Sequence, residues 1–85
     1  MLTGRRADQL DALAAETGGT ALVADLIEPG AVDALVARAG PVDVAVVNAA
    51  LPATGELTTF SPDEIERALR VNLTAAILLV HALLP

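Results

Sequence analysis

Three polar side chains occupy places where this sequence could do chemistry. Asp25 and Asn48 each follow a short apolar run, and Asn72 lies inside a longer one. A carboxylate or amide at such a place can accept hydrogen bonds from an exocyclic amine or a ribose hydroxyl. Two structural alternatives stay open. Asp25 could cap the turn into the next helix, and Asn72 could bond a neighbouring loop, since a buried amide without a partner costs about 1–3 kcal/mol.

The basic residues offer a different chemistry. Arg5 and Arg6 follow Gly4 directly, and two guanidinium groups there could bind a phosphate; the alternative is an exposed first helical turn. His81 has no second histidine and no cysteine in the sequence to complete a metal site, so we expect no metal and a packing or interface role for His81. The glycines form neither G-x-G-x-x-G nor P-loop spacing, so no phosphate-binding loop is present.

The sequence predicts two successive helix–strand units, and Asp25 and Asn48 follow their strands. Apolar spacing predicts a helix from about residue 6 to Thr17, ended by Gly18-Gly19. Residues 20–24 then form a short apolar run that predicts a buried strand. In the second cycle Pro29 fits the first turn of a helix over residues 29–39, and Val42–Val47 predicts a second buried strand.

The last helix has the clearest start signal. Ser61 fits the N-cap, Pro62 follows at the first helical position, and Glu64 completes a capping box. The helical pattern can continue to Leu84. Its second half is apolar nearly all round, so the helix around Leu69–Leu84 is expected to contact a further subunit in a homo-oligomer.

This order of elements, helix-strand-helix-strand-helix, predicts the α/β class. We expect one domain over residues 1–85, a partial Rossmann-like, doubly wound parallel sheet. The carboxyl ends of parallel strands share one edge of the sheet, which places Asp25 and Asn48 together. Two strands leave the sheet edges open, so the chain is expected to be a piece of something larger.

Composition excludes several functions. Five basic and 11 acidic residues give a formal net charge of −6, which argues against nucleic-acid binding. The longest apolar stretch, Leu73–Val80, is well short of the roughly 20 residues that span a membrane, so no membrane partner is expected. The absence of cysteine suits the cytoplasm. Because the sequence has no tyrosine and no lysine, it cannot itself supply a phenol or an ammonium group to a reaction.

Four segments in order resemble the short-chain dehydrogenase/reductase family. Thr3–Ala7 resembles the end of the second strand and the start of the next helix, and Ala24–Leu26 resembles the acidic position after the third strand. Val42–Ala50 is similar to the fourth strand running into the N-N-A-G turn, although Val47 and Ala50 replace its first Asn and its Gly. Arg70–Leu73 resembles the segment that holds the asparagine of the catalytic tetrad. The likeness covers essentially all 85 residues.

The resemblance implies a role for each matching residue. Asp25 would contact the adenine, Asn48 and Ala49 would line the ribose, and Asn72 would be the catalytic asparagine. Gly4 stands where NAD-preferring members carry an acid, and the guanidinium that follows it suits a 2′-phosphate, so the implied cofactor is NADP rather than NAD. The implied cofactor-binding residues are Arg5, Asp25, Leu26, Asn48, Ala49 and Ala50.

Two functions follow as expectations. In the first, the complete protein is an NADP(H)-dependent oxidoreductase that transfers a hydride to or from a carbonyl or alcohol substrate. This chain would then be its inactive middle portion, because the family's glycine-rich loop would precede Met1 and its Ser and Y-x-x-x-K would follow Pro85. In the second, the chain is a small non-catalytic α/β module that dimerises through its apolar last helix.

Overall fold

The structure, a computed structural model, describes residues 1–84 and begins with a strand–helix–strand unit. The elements in chain order are β1 (Leu2–Gly4), α1 (Ala7–Thr17), β2 (Ala21–Val23), α2 (Ala31–Ala39), a 3₁₀ turn (Leu57–Thr59), α3 (Pro62–Leu69), a π-helical turn (Arg70–Thr74) and α4 (Ala75–Leu83).

The two strands pair in parallel, as the α/β class requires. Leu2 lies opposite Ala21 and Gly4 opposite Val23, and α1 connects the strands and packs against both. Helix α1 ends where the sequence predicts. Gly18 adopts a left-handed conformation with φ of 75°, and its N–H donates to the carbonyl of Ala14.

The largest cluster of buried residues joins α2 to α4. Val32 and Leu35 of α2 pack with Ala75 and Leu79 of α4, and each is less than a tenth exposed. Leu22 of β2 is partly buried against this cluster. Helix α2 begins one residue after Gly30, so Pro29 lies in the preceding turn and not in the helix. Packing between α2 and α4 therefore fixes the last helix beside the sheet unit.

The last helical segment starts as predicted and then departs from regular α geometry. The Ser61 hydroxyl accepts from the Glu64 N–H at 3.1 Å, and the Glu64 carboxylate accepts from the Ser61 N–H at 3.2 Å, which is a complete capping box. Between α3 and α4 the backbone widens into the π turn, in which the Ala75 N–H donates to the Arg70 carbonyl. Asn72 lies at the centre of this turn.

The prediction of a buried strand over Val42–Val47 is wrong for the described chain. Every residue from 41 to 50 is exposed, Val44 at 81% and Val46 at 87%, and none belongs to a strand or helix. A strand requires hydrogen bonds to a neighbour, and in residues 1–84 the sheet consists of β1 and β2 alone. We call residues 41–50 the unpaired segment.

The overall dimensions agree with a sheet that is only partly built. The radius of gyration is 14.3 Å, whereas a compact domain of this length has about 12 Å. Six hydrophobic side chains in the described chain are buried, and most of the valines and leucines remain partly or largely exposed. The fold thus shows the predicted α/β class in partial form.

Candidate functional site

One cleft of about 470 Å³ collects the polar residues that the sequence singles out. Three chain segments supply its polar residues, namely the end of β1 with the start of α1, the turn after β2, and the end of the unpaired segment, while Leu35, Val71 and Leu79 add apolar surface. Its charged and amide side chains include Arg5, Arg6, Asp25 and Asn48. The volume lies within the range of about 300–1,000 Å³ that is usual for small-molecule sites.

The first wall carries positive charge. Arg5 and Arg6 are exposed and lie between the end of β1 and the first residue of α1. Arg6 stands at the N-cap position of α1 without a side-chain cap bond. Because a helix N-terminus bears partial positive charge, two guanidinium groups beside it make this wall favourable to an anion.

The second wall carries a carboxylate held in a tight turn. Asp25 is partly buried, and its Oδ1 accepts from the Ile27 N–H at 3.1 Å. The alternative in which Asp25 stabilises the turn after the strand is therefore present in the structure. Its other oxygen, Oδ2, accepts no hydrogen bond from residues 1–84 and remains able to bind a ligand donor. One carboxylate can thus serve both the turn and the cleft.

The third wall is the run Asn48-Ala49-Ala50-Leu51. Asn48, Ala49 and Ala50 are exposed and line the cleft. Their position is fixed at Leu51, whose N–H donates to Asn72 Oδ1 at 2.6 Å and whose carbonyl accepts from Asn72 Nδ2 at 2.9 Å. The Asn72 amide therefore pairs with the backbone of Leu51 as a neighbouring strand would.

All six residues expected to bind a cofactor line this one cleft. Asn72, the expected catalytic residue, does not line it and instead bonds the backbone of Leu51. Its amide bonds a neighbouring loop, which is the structural alternative left open by the sequence. Gln9, Ile27 and Leu51 also line the cleft and were not among the residues expected there. For Leu51 the available signal was the unexplained amide at Asn72, but the two residues are 21 positions apart.

In the described residues no group of three or more histidine, cysteine or acidic side chains is placed to hold a metal ion. None of the helices within residues 1–84 combines the length and apolar character needed to cross a bilayer.

Comparison with known proteins identifies the family. The sequence model of the short chain dehydrogenases matches residues 1–85. A chain with the βαβ unit and the cleft described above, matched over its whole length, belongs to the short-chain dehydrogenase family.

Two individual proteins are similar to this chain. One is the cyclic-di-GMP-binding biofilm dispersal mediator protein of Escherichia coli (strain K12), 37% identical over 68 residues, which are 80% of this chain and 29% of that protein. The other is the solved structure of a short-chain dehydrogenase from Sphingobium yanoikuyae in complex with NADPH. It is 33% identical with a TM-score of 0.79, and the match covers 96% of this chain and 36% of that one. The present chain spans about a third of the length of these proteins.

Proposed function

We propose that this chain forms the adenosine-binding part of an NADP(H)-dependent short-chain oxidoreductase. The observation that carries the proposal is the single cleft shared by Arg5, Asp25 and Asn48, which come from three separate segments. A similar protein has been solved with NADPH. The nicotinamide, when bound, supplies or accepts the hydride exchanged with a carbonyl or alcohol substrate.

The proposed cofactor choice depends on the first wall of the cleft. Arg5 binds the adenosine 2′-phosphate, because a guanidinium presents paired donors to phosphate oxygens. Arg6 and the α1 N-terminus add positive charge on the same side. Gly4, directly before Arg5, presents no carboxylate that would repel a phosphate.

The other walls hold the base and the ribose. The unpaired Oδ2 of Asp25 accepts from the adenine amine while Oδ1 maintains the turn. Asn48 and Ala49 line the ribose, and Asn72 is a positioning residue that holds this run through Leu51. Val47 cannot make the amide bonds of the asparagine that it replaces. This loss makes the Asn72–Leu51 pair the main polar attachment of the third wall.

A titration of the 85-residue chain with NADPH and with NADH tests the proposal. A hydrogen bond to a charged group contributes about 1.5–3 kcal/mol, and solvent lowers this value at an exposed arginine. Arg5→Ala is therefore expected to weaken NADPH binding about ten-fold and to leave NADH binding unchanged. Arg67→Ala, which removes an exposed arginine from α3 outside the cleft, is the matched control. Equal affinities for the two nucleotides, or equal losses in the two variants, would refute the assignment.

We also propose that the chain does not catalyse hydride transfer by itself, since its sequence contains neither tyrosine nor lysine. Incubation with NADPH and a panel of ketones should leave the nicotinamide absorbance at the level of the buffer control. Turnover above that level, removed by Arg5→Ala, would show that other groups supply the proton.

A homo-oligomer formed through α4 is proposed as well, and it is the basis of the alternative, non-catalytic function. Leu73, Ile77, Val80 and Leu84 repeat at intervals of four, three and four residues and are 49–66% exposed. Sizing at several concentrations, with Ile77→Glu as the test variant, should show an association that the variant abolishes. Leu79 is buried against α2 and belongs to the core rather than to this stripe. A concentration-independent monomer would contradict the proposal.

Cyclic-di-GMP is a second candidate ligand for the same cleft. One similar protein is named for binding it, and the cleft presents two adjacent guanidinium groups, which suit phosphates and the acceptor edge of guanine. Adding cyclic-di-GMP to the NADPH titration separates the two ligands. Displacement of NADPH favours the cyclic dinucleotide as an occupant of this cleft, and unchanged NADPH affinity rules it out.

A cytoplasmic location stays a prediction that the absence of cysteine suits.

A further inference from the structure

Strand β2 has an outer edge, on the side away from β1, whose backbone groups are open. Across the β1–β2 pair the Ala24 N–H donates to the Gly4 carbonyl, so alternate residues of β2 turn their backbone groups toward β1. The N–H and carbonyl groups of Ala21 and Val23 consequently point to the outer edge. Within residues 1–84 no hydrogen bond reaches these groups. An open edge of this kind is a place where a further strand can pair.

A groove between β2 and α2 runs beside this edge. Val23 and Ala24 line it from the strand side, and Ala34, Ala37 and Arg38 line it from α2. Val23 is 50% exposed although it belongs to a strand. Among the described residues that line the groove, Arg38 alone is charged. The groove is therefore free of the acidic residues that give the chain its net charge of −6.

The outer edge of β2 is complementary to itself. When two copies of β2 run antiparallel about a two-fold axis at Leu22, Ala21 of each copy lies opposite Val23 of the other. Antiparallel residues whose backbone groups face each other exchange two hydrogen bonds. The two Ala21–Val23 pairs therefore satisfy every open group of these residues in both copies. A contact with this symmetry is closed by two copies.

The same rotation sets α2 of one copy beside α2 of the other with complementary charge. Because the axis is perpendicular to the sheet, both α2 helices lie on the same face and run in opposite directions. The first turn of α2 contains Asp33, and its last turn contains Arg38. The basic end of each α2 therefore lies beside the acidic end of the other, which favours this orientation over the parallel one.

We propose that a second copy of this chain pairs with the outer edge of β2. The two sheets then join into one, with strands in the order β1-β2-β2-β1, and Val23 gains a cross-strand neighbour in Ala21 of the other copy. This surface is distinct from the apolar stripe on α4, and the inference is independent of the proposed cofactor and reaction. Because the paired strand is three residues long, the contact is small and is measured by trapping rather than by sizing.

Engineered cysteines test the pairing and its register. The chain has no cysteine, so each substitution introduces one thiol. In the proposed pairing the Cα atoms of Ala21 and of Val23 in the other copy are about 5.5 Å apart, within the range of a disulfide. The same position in the two copies is about 8–9 Å apart, which is too far. Ala21→Cys and Val23→Cys chains mixed in a glutathione buffer should therefore form the mixed disulfide about ten-fold in excess of either same-position disulfide, as measured by mass spectrometry.

Charge variants test the placement of α2. All chains in this experiment also carry Ile77→Glu, so that α4 does not bring the copies together. Arg38→Glu sets an acidic last turn beside the acidic first turn of the other α2 and should lower the yield of the mixed disulfide about five-fold. Arg67→Glu makes the same change of charge on α3, outside the groove, and should leave the yield unchanged.

Three results would overturn the proposal. Same-position disulfides as abundant as the mixed one would mean that the thiols meet by random collision, and the absence of any disulfide between chains would mean that the edges do not meet. Equal yields from Arg38→Glu and Arg67→Glu would mean that α2 does not face α2. If Ala21→Cys changes the helical circular dichroism, Thr20→Cys with Ala24→Cys tests the same register from the two ends of β2.

Discussion

Replacing Asn72 by alanine tests how the third wall of the cleft is held. The change removes two hydrogen bonds to Leu51, of 2.6 and 2.9 Å. At about 0.5–1.5 kcal/mol each they contribute roughly 1–3 kcal/mol. Alanine is a better helix former than asparagine, and this offsets up to about 0.7 kcal/mol of the lost stability. The net loss in the free energy of unfolding is therefore about 1 kcal/mol, which lowers Tm by roughly 4–8 °C for a chain of this size.

Amide hydrogen exchange gives the local result. The Leu51 N–H loses its acceptor in Asn72→Ala, and its exchange should accelerate about ten-fold, which corresponds to roughly 1.4 kcal/mol of local protection. Asn72→Asp is the matched control, because the carboxylate keeps an acceptor for the Leu51 N–H while it loses the donor to the Leu51 carbonyl. Exchange at Leu51 should therefore be slower in Asn72→Asp than in Asn72→Ala. An unchanged Leu51 rate in the alanine variant would refute the role assigned to Asn72.

The remaining predictions concern stability and are measured by urea unfolding followed by circular dichroism. Leu79→Ala, in the cluster between α2 and α4, should cost about 2–3 kcal/mol, whereas Leu78→Ala, at a site 40% exposed, should cost less than about 1 kcal/mol; similar costs would contradict the described core. Ser61→Ala should cost about 1 kcal/mol through loss of the capping box, and no change would mean that the bonds to Glu64 do not form in solution. Gly18→Ala should cost about 1 kcal/mol because of its positive φ, and a stabilised variant would contradict that backbone conformation.

Features that depend on a few neighbouring residues could be predicted from the sequence. The capping box at Ser61 and the glycine end of α1 are local, and both are present in the structure. A parallel sheet could be predicted but its strand pair could not, because the sequence indicates strands at residues 20–24 and 42–47 whereas the structure pairs β1 with β2. Asp25 and Asn48 line one cleft, but they do not end two paired strands as expected, because Asn48 lies in the unpaired segment.

Features that depend on distant partners could not be predicted. Val42–Val47 has the composition of a strand, but a strand exists only beside another, and β1 is paired with β2 alone. The π turn could not be predicted from the sequence either. Asn72 looked like an isolated amide within a helix, and its partner Leu51 lies 21 residues earlier. Turns of this kind often occur at functional sites, so an unexplained asparagine in an apolar helix is a useful signal.

The central claim is that the cleft binds an adenosine 2′-phosphate. Nuclear magnetic resonance of the isotope-labelled chain, titrated with NADPH, tests this claim most directly. The amides of Gly4–Arg6, Asp25–Ile27 and Asn48–Leu51 should shift together and saturate with one dissociation constant, while those of α4 beyond Leu79 should not move. NADH should produce smaller shifts at Arg5 in particular. Shifts confined to the exposed face of α4, or identical shifts with the two nucleotides, would contradict the assignment.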